Sequence, residues 1–400
     1  MANIIDYLLW RGDVPFSADP FNEVDALIFT ELAYEDFSGI VPDTADAVAL
    51  DRVAALFFTR HPAEETAARK DFTRQIPPLL ELAGKSPRYA GTRLSNYHDD
   101  VDPACDMQLA IVSFLLPDGT VFVAYRGTDS TIIGWKEDFV LSYSPRTEGQ
   151  RGAARYLNER WGEGDAPLLL GGHSKGGNLA MYAAAKCRPE VRKRIRAVYN
   201  NDGPGFLDAF IASRDYRRVV PLIQSTVPVG SVVGVLMRNE ARQRVVESSA
   251  SGLMQHDGFS WQVLGNHFVT RAQRNATSLR MEAAILEWLK MQTVENRRLL
   301  VKIVFGLLEA TGLQTTHDLL ANKSMLLSAM RKLQDNVPKE QRALALRMIG
   351  QFLSIGTGLT INDLKQELLA RVPGLEARQS AEDADAPEPE PPAAPEEGTT

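Results

Sequence analysis

The stretch that decides the fold runs from Pro167 to Lys186 and reads PLLLGGHSKGGNLAMYAAAK. Leu168 to Leu170 make an apolar run too short for a helix and closed by glycines, the pattern of a buried strand. From Gly177 to Lys186 the residues suit a helix. Between the two lies Gly172-His173-Ser174-Lys175-Gly176, a G-x-S-x-G pentapeptide. A strand that turns sharply into a helix strains the backbone of its central residue, and only small flanking residues permit the close approach that turn requires. Ser174 is then exposed at a helix N-terminus, where free backbone N–H groups and the positive end of the helix dipole meet developing negative charge. The pentapeptide alone is common; the strand before it and the helix after it make it a nucleophile elbow. A phosphate-cradling loop fails on spacing, because no G-x-x-x-x-G-K-S/T occurs and Lys175 follows the serine. His173, as a strand neighbour of Ser174, is expected to point the other way and is not read as the base.

Working outward, MQLAIVSFLLP and TVFVAYRGT are β-rich runs separated by Pro117, Asp118 and Gly119, the chemistry of a hairpin turn. A helix is expected from Gln150 to Trp161. After the elbow helix come RAVYNND, RVVPLIQS, VGVLMR and RQRVVESS as strand candidates, then a helix from Ser278 to Lys290. Strands alternating with helices imply an α/β fold with a mostly parallel sheet covered on both faces, the hairpin near residue 117 giving an antiparallel edge. Helical segments near Asn22 to Ala33, Ala47 to Thr59 and Phe72 to Leu82 read as an N-terminal cap on that sheet. The expected domains are therefore 1–295, with 1–100 as the cap region, an appended helical region 296–375, and a tail 376–400.

The appended region repeats apolar residues at three- and four-residue spacing, as in Leu299, Leu300, Ile303, Val304, Leu307 and Leu308, and breaks at Thr311-Gly312, Val337-Pro338 and Gly356 to Gly358. The tail holds five prolines and no aromatic, Leu, Ile or Val, so it is expected to be disordered. Its eight acids against one arginine account for the whole formal net charge of −7. The body before it is neutral, which argues against nucleic acid as a dedicated partner. The 400 residues are 44% hydrophobic, enough to bury a large core. Two cysteines, Cys105 and Cys187, exclude a disulfide framework or Cys-x-x-Cys zinc site and suit a reducing cytoplasm. The N-terminus lacks a secretory pattern and no run of 18 apolar residues occurs, so the expectation is a cytoplasmic chain without a transmembrane segment. No His-Glu-x-x-His, G-x-G-x-x-G after a strand, or glycosidase-type acidic pair is present, and no metal or other cofactor is expected.

AYRGTD (Ala124 to Asp129), GWKEDF (Gly134 to Phe139) and GGHSKGGNLA (Gly171 to Ala180) resemble, in order and spacing, the class 3 lipase-like branch of α/β-hydrolases. With YNNDGPGF (Tyr199 to Phe206) and QHDGFSW (Gln255 to Trp261), residues 1 to about 295 more closely resemble the Mbeg-like family of bacterial α/β-hydrolase-like proteins. The resemblance implies an α/β-hydrolase fold. It also implies that Thr128, after the Arg-Gly pair, supplies one oxyanion-hole donor. The backbone N–H of Lys175, directly after the nucleophile, supplies the other. Asp138 is read as orienting or capping the oxyanion loop.

The base must be a histidine late in chain order, and only His256, His267 and His317 follow Ser174. His256 lies in a Gly-bounded loop after a candidate strand and is the choice, with His267 in reserve. The acid is open. Lipase-like sequences place it after the next strand, but PLIQSTVPVGSVVG contains no carboxylate. Asp202 is either the acid of the triad or a turn residue ahead of Gly203; Asp257 and Glu247 are outside candidates. The function expected is serine hydrolysis of a carboxylic ester, of a small molecule or lipid, through Ser174, His256 and Asp202. The alternative is a hydrolase-fold scaffold with little turnover. Association with a membrane surface, and a protein partner for the helical region or tail, are left open.

Overall fold

Central strands that are buried on both faces read as unbroken apolar runs, and three of them in this chain do. They are β3 (Met107–Leu115), β4 (Val121–Tyr125) and β5 (Leu168–His173), of which only Leu115 is not fully buried. A computed structural model describes residues 2–69, 72–129, 132–310 and 341. The chain divides at Ala345/Leu346 into two units, and the second lies outside the described residues, as does most of the expected helical region and all of the tail.

Around those three strands are β1 (Val48–Ala49), β2 (Arg93–Asp102), β6 (Ile195–Asn201), β7 (Ile223–Pro228) and β8 (Gln243–Val246). A small hairpin of β9 (Val263–Leu264) and β10 (His267–Phe268) precedes β11 (Thr270–Arg271). The main sheet runs β1-β2-β3-β4-β5-β6-β7-β8-β11. From β4 to β8 all pairings are parallel, and the flanks are antiparallel. One face is covered by the helices Ile4–Arg11, Glu23–Leu32, Leu50–Arg60 and Ile76–Lys85, whose apolar residues pack as a cluster with Phe29, Phe114 and Phe122 at its centre. The helices Glu148–Arg160 and Lys175–Lys186 cover the other with Leu157, Leu179 and Ala183. This is the α/β-hydrolase fold, with the expected hairpin edge: Leu116 N–H bonds Thr120 O, and Gly119 takes the φ of +83° that the turn needs.

Several expected elements differ in extent. RVVPLIQS becomes a strand only at Ile223, because the helix Arg214–Val219 runs into it and Pro221 cannot donate to a ladder. VGVLMR is not a strand: Val233–Val235 form a 3₁₀ turn whose Gly234 N–H is drawn to the Asp202 carboxylate, leaving only an isolated bridge at Arg238. The sequence pattern does not mark β2 as a strand. Its acids at 99, 100 and 102 hide the alternation, and a bulge between Ser95 and His98 breaks its register. Nor does the pattern mark the helices Ile4–Arg11 and Ile132–Val140.

Candidate active site

In a sheet with parallel strands, the polar residues that do chemistry gather beyond the carboxyl ends of those strands, where loops lead into helices. Ser174 follows β5, Asp202 follows β6, Thr128 lies beyond β4, and His256 comes in the loops after β8. The turn at Ser174 is the strained one the sequence implies, with φ 56° and ψ −133° in a non-glycine residue. Its flanking glycines are required by contact. A Cβ on Gly172 would lie 2.0 Å from the Gly176 carbonyl carbon, and one on Gly176 would lie 2.0 Å from Tyr125 O. Ser174 is half-buried, while Lys175, at the first helical position, has no intrahelical partner for its N–H.

Asp202 is wholly buried and, like Ser174, has a positive φ, 50°. One oxygen, Oδ1, accepts from Ser231 Oγ at 2.5 Å and from Gly234 N–H at 3.1 Å. The other, Oδ2, lies 2.7 Å from His256 Nδ1. A carboxylate only accepts, so Nδ1 carries the proton and Nε2 is left with its lone pair. Ser174 N–H donates to Asn201 O at 2.9 Å, which ties the elbow to the residue before Asp202. No hydrogen bond joins Ser174 Oγ to His256 among the described residues.

His173 does more than turn away. It is buried, its Nε2–H donates to the His256 carbonyl at 2.7 Å, and the two rings sit 4.6 Å apart. Its Nδ1 faces the Tyr34 hydroxyl at 3.3 Å and a buried oxygen of Glu31 at 3.6 Å. Burial, and then the nearby His256, push the His173 pKa down to about 3, so it stays neutral. Burial also drives the Glu31 carboxyl well above its ordinary range, and the Asp257 charge adds to that. The sequence carries one signal for this cluster: a histidine fixed beside Ser174 on a buried strand must find partners.

Beyond β4, Thr128 Oγ1 donates to Asp138 Oδ2 at 2.6 Å. Burial raises the Asp138 pKa to about 6, with Lys175 and the Thr128 hydrogen bond opposing it. Lys175 itself is buried at the side chain, and its ammonium pairs with Glu137 at 2.9 Å. Glu137, inside GWKEDF, was not singled out from sequence. The signal was present, since a lysine forced into the elbow requires a buried acid.

The other candidates make their contacts elsewhere. His267 is exposed on β10 with Asn266 as its neighbour, and Glu247 pairs with Arg271. Asp257 accepts from Phe259 N–H as a turn residue, and burial raises its carboxyl. His317 lies outside the described residues. Cys105 and Cys187 are both free. No helix among the described residues is long and apolar enough to cross a membrane, and no cluster of His, Cys, Asp and Glu there could hold a metal ion.

The Mbeg1-like family model matches residues 83–306, more than half of the chain. The chain belongs to the Mbeg1-like family. That span holds Thr128, Glu137, Asp138, Ser174, Asp202 and His256, whereas Glu31 and Tyr34 of the Mbeg1-like chain lie before it. Solved structures similar to it include the crystal structure of M37 lipase, 16% identical, covering 54% of this chain and 70% of that one with a TM-score of 0.32. Native Rhizomucor miehei lipase in its propeptide complex is 14% identical, covering 52% and 73% with a TM-score of 0.32. No curated protein sequence matches.

Proposed function

We propose that the chain is a serine hydrolase of carboxylic esters. The observation that carries this reading is the 2.7 Å contact between His256 Nδ1 and the buried Asp202 carboxylate, beyond the carboxyl ends of the parallel strands that also present the strained Ser174. His256 Nε2 takes the Ser174 proton as Oγ bonds to the ester carbonyl carbon and the carbonyl π pair moves to oxygen. The backbone N–H groups of Thr128 and Lys175 receive that oxyanion, the Thr128 hydroxyl proton being committed to Asp138. Collapse breaks the C–O bond, the alcohol leaves with the proton from His256, and water repeats the sequence to free the acid and Ser174. Leu253 and Met254, 61% and 65% exposed, stand in the 3₁₀ turn that ends at His256 and form an apolar rim beside the base. They favour an acyl chain as the part of the substrate bound there.

The test is labelling by a fluorophosphonate probe. The natural chain is expected to label, and folded Ser174→Ala and His256→Ala variants are not. If the folded natural chain does not label, the reading fails and the alternative, a scaffold on a hydrolase fold, takes its place.

A further inference from the structure

We propose that Glu137 and Asp138, neighbours on the helix Ile132–Val140, are positioning residues that lock the two oxyanion donors to one another, Asp138 through the Thr128 hydroxyl and Glu137 through the buried ammonium of Lys175. The inference rests on the hydrolase reading; to the orienting part already read for Asp138 it adds Glu137 and a purpose for the lysine side chain.

Lys175 has two unrelated ends. Its backbone N–H, at the first position of the elbow helix, has no intrahelical acceptor, while its side chain is 1% exposed and pairs with Glu137. There Nζ meets three acceptors, Glu137 Oε2 at 2.9 Å, Gln108 Oε1 at 3.1 Å and Gln108 O at 3.1 Å, which matches the three protons of an ammonium. Glu137 is equally committed, taking Gln108 N–H at 3.2 Å and Gly149 N–H at 3.0 Å. The pair therefore ties together β3, the start of the helix Glu148–Arg160, and the elbow. Two buried charges add little stability over an apolar pair of equal size, so stability does not account for them. Fixed direction does: an ammonium with three rigid acceptors cannot slide, whereas an apolar side chain at 175 could.

The next residue on the same helix holds the other donor through the 2.6 Å bond from Thr128 Oγ1 to Asp138. The helix also sits tight on both partners. A Cβ on Gly134 would lie 2.5 Å from Gln108 Oε1 and 2.9 Å from Thr128 Cγ2. Thr128, Asp138, Glu137 and Lys175 thus form a short continuous path between donors that must both sit about 3 Å from one oxygen.

The experiment measures hydrolysis of p-nitrophenyl butyrate, inhibition by a trifluoromethyl ketone that forms a tetrahedral adduct, and fluorophosphonate labelling. The variants are Lys175→Met and the charge-free pair Lys175→Met with Glu137→Gln, which leaves no buried ion alone. With cooperative melting retained, kcat is expected to fall by about 10- to 100-fold with KM within about twofold. Ketone affinity should fall by the same factor, and the acid limb of the pH profile should stay in place. Natural kcat and ketone affinity in the double variant overturn the clamp and leave the hydrolase reading standing. A natural chain that neither labels nor turns over the ester overturns both. If neither variant melts cooperatively, the pair serves folding and the positioning role is overturned.

Discussion

Asp202 is held so that only one of its oxygens is free for His256, the other being taken by Ser231 and Gly234. In Asp202→Asn the amide oxygen keeps those two donors and the NH₂ turns to His256 Nδ1. The imidazole must then carry its proton on Nε2, where it cannot accept one from Ser174. A fall in kcat of about 10⁴-fold follows, with the fold intact, and a loss of less than tenfold on p-nitrophenyl butyrate would sink the assignment. Asp138 makes a second residue-scale prediction, on stability. Its folded pKa of about 6 stands above the ordinary 3.8, so the native state binds more protons than the unfolded chain between those values. The natural protein should lose roughly 1–3 kcal/mol from this group as pH rises from about 4 to 6, a loss that Asp138→Asn lacks. Urea unfolding of both proteins at pH 4.5 and 7 reads the difference; parallel pH curves would refute it. Chain order and a Gly-bounded loop point to His256 and leave Asp202 open between a triad acid and a turn residue, and the structure brings these two side chains into contact. Glu137 carries no such mark, and for His173 the sequence tells only that it points away from Ser174, because their contacts are with partners distant in sequence, Lys175 in one case and the His256 carbonyl in the other.

The strand-turn-helix around Ser174 was the most legible element, because sterics leave it almost no sequence freedom. Gly176 lies where the elbow helix crosses the end of β4, with room for a hydrogen but not for a methyl 2.0 Å from Tyr125 O. Gly176→Ala must push β4 and the helix apart, moving Thr128 away from Lys175. A stability loss of about 3 kcal/mol or more is expected, with lost labelling even in the fraction that stays folded. A thermal melt within 2 °C of the natural protein would contradict that packing. Elements away from the elbow were less legible where a polar partner displaced the ladder. Gly234 shows this: its N–H goes to Asp202 instead of a strand neighbour, so an apolar run with strand composition folds as a 3₁₀ turn. In β2 the acids have local uses that erase the period of two, Asp99 pairing with Arg126 through both of its oxygens.

At the scale of the molecule, the helix Val294–Ala310 continues past residue 295, the expected end of the first domain, and its contacts run back to the helix Ile132–Val140 and the residues just after it. Val301, Ile303 and Phe305 are buried, and the Phe305 ring lies 5.5 Å from that of Phe139 on the helix that carries Glu137 and Asp138. Arg297 donates to Ser142 O, and Arg298 sits over the Tyr143 ring at 5.7 Å. A helix that buries Val301, Ile303 and Phe305 and packs on the helix carrying Glu137 and Asp138 belongs to the same compact unit as the sheet. Phe305→Ala should then cost about 2–4 kcal/mol in the single urea transition of the whole described unit, since a buried aromatic leaves a cavity that its neighbours fill only in part. The same variant should label more slowly with fluorophosphonate, because the helix Ile132–Val140 loses its outer support. Were the residues beyond 293 an independent module, the substitution would shift a separate transition and leave the labelling rate of Ser174 as it was. Measuring the melt and the labelling rate on one preparation separates the two arrangements.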